Sequence, residues 1–82
     1  MNQKIQAPFS IGDTARMTGV SRRKIRSWEK SGYIPDAYRV VCGVMAYRYF
    51  TLDEIEIISK IKGYLDLGYT LAHASKMVRN KV

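Results

Sequence analysis

In 82 residues there is one cysteine, Cys42, and one histidine, His73. A lone thiol excludes a disulfide within the chain and fits a reducing cytoplasm. Neither residue has a second cysteine or histidine at ligand spacing, so no metal site is expected. No glycine-rich phosphate loop is present, and no cofactor is expected. Asp53, Glu54 and Glu56 cluster where a helix should begin, a position that favours carboxylates for dipole reasons without any catalytic role. These absences argue against an enzyme. No stretch approaches the ~20 apolar residues of a membrane span. The N-terminus lacks the basic start and apolar run of a signal peptide, so a cytoplasmic location, on the nucleoid, is expected. Acid is also scarce: seven Asp and Glu face fourteen Lys and Arg, leaving a net charge of +7. Such an excess attracts a polyanion, either nucleic acid or an anionic membrane.

The placement of the charge separates those two partners. Five of the fourteen basic residues, Arg22, Arg23, Lys24, Arg26 and Lys30, fall in one nine-residue stretch that holds one acid, Glu29. A membrane-surface helix would set a broad apolar face against the charge. Here the apolar side is narrow, Ile25 and Trp28, and is better used as core, so no membrane contact is expected. The stretch Ala15 to Trp28 has the form of a helix-turn-helix. Ala15 is small enough for a close helix crossing, Gly19 can turn the chain in a left-handed conformation, and Ser21 can cap the next helix. In such a motif the second helix enters the DNA major groove.

The remaining elements follow from period and caps. Residues 1–8 read as a flexible tail, with Lys4 near DNA, and residues 9–80 as one domain. Ser10 and Asp13 form a capping box for a first helix, about Ile11 to Thr18, with Ile11 and Ala15 inward. The second helix spans about Arg22 to Lys30 and ends near Gly32 and Pro35. Val40, Val41, Val44, Tyr47, Tyr49 and Phe50 predict two strands between Tyr38 and Phe50, turning at Cys42 to Val44. Thr51 opens a third helix whose buried stripe is Leu52, Ile55, Ile58, Ile61 and Leu65, ending at Gly68. Thr70 caps a fourth, about Leu71 to Val78, with Leu71, Ala74 and Val78 as its apolar face. The fold class is mainly α with a small β-hairpin: a winged helix-turn-helix of two helices, a two-stranded wing and two further helices.

The candidate contacts to double-stranded DNA on the second helix are Ser21, Arg22, Arg23, Lys24, Arg26, Trp28 and Lys30. Arg22 and Arg23 suit bidentate contacts to guanine, whereas Lys24 and Arg26 suit phosphates. Trp28 can be core, or a half-buried ring whose N–H meets a phosphate. On the wing, Arg39 and Arg48 suit phosphate or minor-groove contact. Tyr47 lies on the opposite face from Arg48 and can be packing or contact. The apolar tip, Val40 to Met45, is open to two readings, hairpin packing or a protein partner.

Taken in order, Phe9-Ser10-Ile11-Gly12, Ala15, Thr18-Gly19-Val20-Ser21, Ile25-Arg26, Trp28-Glu29, Gly32-Tyr33-Ile34-Pro35, Tyr47-Arg48-Tyr49 and Leu67-Gly68-Tyr69-Thr70-Leu71 form a series. It resembles the DNA-binding domain of the MerR family over nearly the whole chain from Phe9 onward. Trp28, where many members have Tyr, makes it similar to the branch with light- and cobalamin-responsive carotenoid repressors. The resemblance implies a transcriptional regulator that binds inverted-repeat operators as a homodimer and bends and untwists promoter DNA. It implies that Arg26 and Trp28 sit where the second helix meets groove and backbone, and Arg39 and Arg48 where the wing does. It places dimerisation in a C-terminal region outside this sequence. Two other readings share the short basic winged form. One is an excisionase-like DNA-architectural protein; the other is a domain whose DNA-binding face is also taken by an antirepressor or other protein.

Overall fold

Four side-chain caps set where the helices begin. The hydroxyls of Ser10, Ser21, Thr51 and Thr70 accept the backbone N–H three residues on, at 3.0, 3.2, 3.0 and 3.1 Å. Each satisfies a donor that the first helical turn leaves unpaired. Asp13 and Glu54 reach back to the backbone N–H of Ser10 and Thr51, completing two capping boxes. The computed structural model describes residues 7–80, and in them the chain forms β1 (Phe9–Ser10), α1 (Ile11–Thr18), α2 (Arg22–Lys30), β2 (Tyr38–Cys42), β3 (Met45–Phe50), α3 (Leu52–Asp66) and α4 (Leu71–Arg79). Most of the expected tail, including Lys4, lies outside the described residues. Ala7 is buried, so the packed part of the chain reaches back two residues before the expected boundary.

Between α1 and α2 the chain turns on Gly19, whose φ of 76° is the left-handed region that a Cβ disfavours. Its N–H closes α1 on the Ala15 carbonyl at 2.9 Å. The sheet has one more strand than the expected wing. β1 pairs antiparallel with β3, Phe9 opposite Phe50 and Ser10 opposite Tyr49, giving the order β1-β3-β2. This short third strand staples the base of the hairpin to the start of α1. The hairpin closes in a two-residue turn, Gly43 and Val44, with Cys42 opposite Met45. Gly43 has φ 65° and, among the described residues, none other than glycine has a positive φ, the pattern of a type II′ turn.

One core joins these elements. Val20, Ile25 and Trp28 of the turn and α2 meet Ile34 and Ala37 of the following loop, Phe50 of β3, Ile55, Ile58 and Ile61 of α3, and Ala74 of α4. One expectation for the core fails and another is incomplete. Leu52 is 62% exposed, because as the first residue of α3 it precedes the face that Ile55 begins. In α1 the fully inward positions are Thr14 and Thr18, while Ile11 and Ala15 are half-buried at the core's edge. The threonines bury their methyl groups and donate their hydroxyls back along the helix, Thr14 to the Ser10 carbonyl at 2.9 Å and Thr18 to the Thr14 carbonyl at 2.8 Å. Ser75 of α4 is likewise buried and donates to the Tyr33 carbonyl at 2.7 Å, tying α4 to the loop that leaves α2.

Candidate nucleic-acid interface

The two sides of α2 divide its labour. Ile25, Trp28 and Glu29, three and four apart, form the buried side. Arg22, Arg23, Lys24, Arg26, Ser27 and Lys30 are exposed. Arg23, Arg26, Ser27 and Lys30 lie opposite the core and line an open groove that continues to Asp36, Arg39 and Arg48. Among the described residues none of the five basic side chains of α2 has a carboxylate within 4.0 Å. The first turn of α2 carries no acid either, so its dipole and its side chains have the same sign. That uncompensated positive surface suits an anionic polymer. Arg22 leans back across the start of α1: a Cβ on Gly12 would stand 3.1 Å from its Nη2. Ser21 is exposed but spends its hydroxyl on the cap.

Trp28 is 4% exposed and belongs to the core, so the packing alternative describes its ring. One edge borders a cleft with Ser21, Lys24, Lys62 and Asp66. Lys62 is thereby brought beside the turn before α2, a basic neighbour that sequence spacing did not suggest; its Nζ meets Asp66 at 2.9 Å.

The wing arginines are engaged with protein. Arg39 and Arg48 stand directly opposite one another in the hairpin. Like charges in that relation destabilise a strand pair. The carboxylate of Glu29, its side chain 3% exposed, resolves the conflict. Its Oε1 accepts from Arg48 Nε at 2.8 Å and from Arg39 Nη2 at 3.1 Å, and its Oε2 accepts the Ala37 N–H at 2.5 Å. A buried residue of α2 therefore holds both strands of the wing and the loop before them. Sequence reasoning missed Glu29. The signal was available: a hairpin turning at Gly43 and Val44 sets residue 39 against residue 48, and two facing arginines call for an anion.

Burial pushes the Glu29 carboxyl up, but hydrogen bonds from Arg48 and Ala37 and the charges of Arg39 and Arg48 outweigh it and hold the group below its ordinary 4.5. A carboxyl depressed by folding adds stability above its unfolded value and loses it as pH falls through the folded value. Thermal melts are therefore expected to fall as pH drops below about 4.5. In Glu29→Gln that dependence should flatten, leaving the contribution of Asp13, which is lowered by the Ser10 N–H and Arg16.

The other face of the hairpin carries Tyr38, Val40, Met45 and Tyr47, 64%, 38%, 52% and 46% exposed, with Cys42 beside them. Tyr47 thus points away from the arginine face, as strand alternation requires. His73 is exposed and meets Tyr69 edge-on, ring centroids 5.3 Å apart. Among the described residues no three His, Cys, Asp or Glu side chains are grouped to hold a metal. Among them, too, no helix is long and apolar enough to cross a membrane.

The chain is similar to known proteins at the level of sequence and fold. A family model described as the MerR HTH family regulatory protein matches residues 9–81. The mercuric resistance operon regulatory protein of Bacillus cereus is 33% identical over 70 residues, 85% of this chain and 51% of that protein. The crystal structure of a MerR-family transcriptional regulator from Bacillus cereus superposes with a TM-score of 0.77 at 18% identity, covering 90% of this chain and 53% of that one. At that identity the superposition speaks for the fold alone. The chain spans about half the length of both. These likenesses are to the family at large and do not single out the branch suggested by Trp28.

Proposed function

This chain belongs to the MerR family of helix-turn-helix regulatory proteins, and from that membership we propose how it reads DNA. It is a DNA-binding regulatory domain and not an enzyme. In our reading α2 enters the major groove with Arg23, Arg26 and Lys30 outermost, and the wing follows the backbone or the adjacent minor groove. The observation that carries this is the row of exposed α2 cations with no carboxylate partner among the described residues. The operator is an inverted repeat bound by two copies, joined through sequence beyond this domain. Two modest half-sites linked in one dimer gain affinity through effective concentration.

The test begins with duplexes selected by the 82-residue chain from a randomised library. Arg22→Ala and Arg23→Ala should each relax the selected sequence at one position, by about 1–3 kcal/mol of discrimination. Lys24→Ala should instead weaken all duplexes alike, as a phosphate contact does. If both arginine variants kept the parent's preference, the assignment of α2 as the base-reading element would be wrong.

The exposed apolar face of the hairpin favours a second reading beside the first. Tyr38, Met45 and Tyr47 on that face, and Val44 at the tip, stand largely in water, a cost that a protein partner on the wing would remove. Such a partner would compete with DNA if it also covered Arg39 and Arg48.

A further inference from the structure

We infer that Glu29 is a positioning residue for DNA recognition: it fixes the wing on α2 so that helix and hairpin meet the duplex as one unit. The inference rests on the proposed function above. Its premise is a contradiction in charge. Glu29 stands on the helix that carries the positive surface, and next to a polyanion an acid is unfavourable. Simple electrostatics would therefore have its removal strengthen binding to every DNA sequence.

The geometry shows what the acid does instead. Among the described residues the ion pairs between α2 and the wing are those of Glu29 with Arg39 and Arg48. The hairpin is otherwise held at its base, by the short β1–β3 pairing of Phe9 with Phe50 and Ser10 with Tyr49 and by Phe50 in the core. Residues 39 and 48 lie one pair beyond Tyr38 and Tyr49, so Glu29 grips the wing just outside that base. The three donors that converge on it demand a carboxylate. Two fall on Oε1 and one on Oε2. A glutamine keeps the shape but has one acceptor oxygen and an NH2 group. Facing the arginines with its oxygen, it sets NH2 against the Ala37 N–H. Turned over, it sets NH2 against two guanidinium groups. Either way the repulsion between Arg39 and Arg48 is released and the wing is free to swing from α2.

Specific binding needs helix and wing in register with the duplex together, whereas non-specific binding needs positive charge near phosphates. Glu29→Gln separates the two because it raises the charge while loosening the geometry. The experiment measures affinity of the 82-residue chain for a library-selected duplex and for poly(dI-dC) at one salt concentration. Circular dichroism melts establish that each variant is folded at the assay temperature. We expect affinity for the selected duplex to fall roughly tenfold or more, the size of a lost specific contact. Affinity for poly(dI-dC) should hold or rise, so the ratio collapses. Hydroxyl-radical footprints should lose protection at the flanks that the wing covers and keep it where α2 sits.

An unchanged ratio would overturn the inference in either of two forms. Both affinities could tighten, which is a pure effect of charge, or both could weaken with the folded fraction, which is a pure effect of stability. Glu29→Asp carries the same test should Glu29→Gln not fold, because it keeps the charge and withdraws the carboxylate by one methylene from its three donors. With it, too, the specific affinity should fall and the ratio with it. A parent chain without sequence preference would overturn the proposed function and this inference together; a selective parent with an unaltered ratio in both variants overturns this inference alone.

Discussion

Trp28→Ala is expected to leave the chain largely unfolded and to abolish DNA binding for that reason alone. The ring is 4% exposed and packs in the single core that joins α2 to α3 and the loop before the wing. Removing a buried tryptophan costs about 3–5 kcal/mol, through lost transfer energy and the cavity left behind. A small domain has little more than that to lose, since stabilities run from about 5 kcal/mol upward and short chains bury less of their surface. Each kcal/mol shifts the midpoint by roughly 4–8 °C at this size, so the melt should move by tens of degrees or vanish. The informative partner is Trp28→Phe, which keeps an aromatic in the site and leaves a smaller cavity. It should lower the midpoint modestly and keep the selected DNA sequence. The two variants divide the possible roles of the residue. If Trp28→Phe melted like the parent yet lost its DNA affinity, the indole would be a DNA contact and its burial incidental.

The helices were legible because their signals are local. Ser10, Ser21, Thr51 and Thr70 are polar residues that stand before periodic segments, and each accepts the bond that its position suggests. The glycine turn between α1 and α2 and the hairpin turn are of the same kind. What escaped the sequence was decided by groups far apart in the chain. Phe9 and Ser10 are too few to read as a strand, and they become one only because β3 presents a free edge. Thr14 and Thr18 look like surface by type, yet a helix lets each hydroxyl bond the carbonyl four residues back and so bury its methyl group. Leu52 has the right chemistry for the core and the wrong position for it, one turn before the face that packs.

The interface shows the same division. The charge cluster of α2 is contiguous in sequence, and the side on which it falls follows from Ile25 and Trp28 three residues apart. The wing arginines were legible as cations but not as partners of Glu29, ten and nineteen residues away. Their role changes accordingly. Arg39 and Arg48 would meet DNA with a buried carboxylate already sharing their charge, so each contributes less to long-range attraction than an unpaired arginine on α2. Shared in this way, they are better suited to holding a phosphate in a fixed place than to drawing it in.

That difference leads to a quantitative expectation for salt. The attraction should come mainly from Arg22, Arg23, Lys24, Arg26 and Lys30, which have no carboxylate partner among the described residues. Each phosphate neutralised releases counterions and adds about −0.9 to the slope of log affinity against log salt. With Arg22 and Arg23 on bases, the three others on phosphates give a slope near −2.7, and raising salt from about 50 to 200 mM would then weaken a single domain's binding roughly 40-fold. Removing one unpaired cation, as in Lys24→Ala, should flatten the slope by about one. Arg39→Ala should flatten it by less, because what leaves the surface is an arginine half-neutralised by Glu29. Titrations of fluorescent duplex across that salt range, with the parent and these two variants, check the ordering. A slope near zero would mean that the α2 cations stand away from the phosphates, and with them the docking of this helix in the groove would fall.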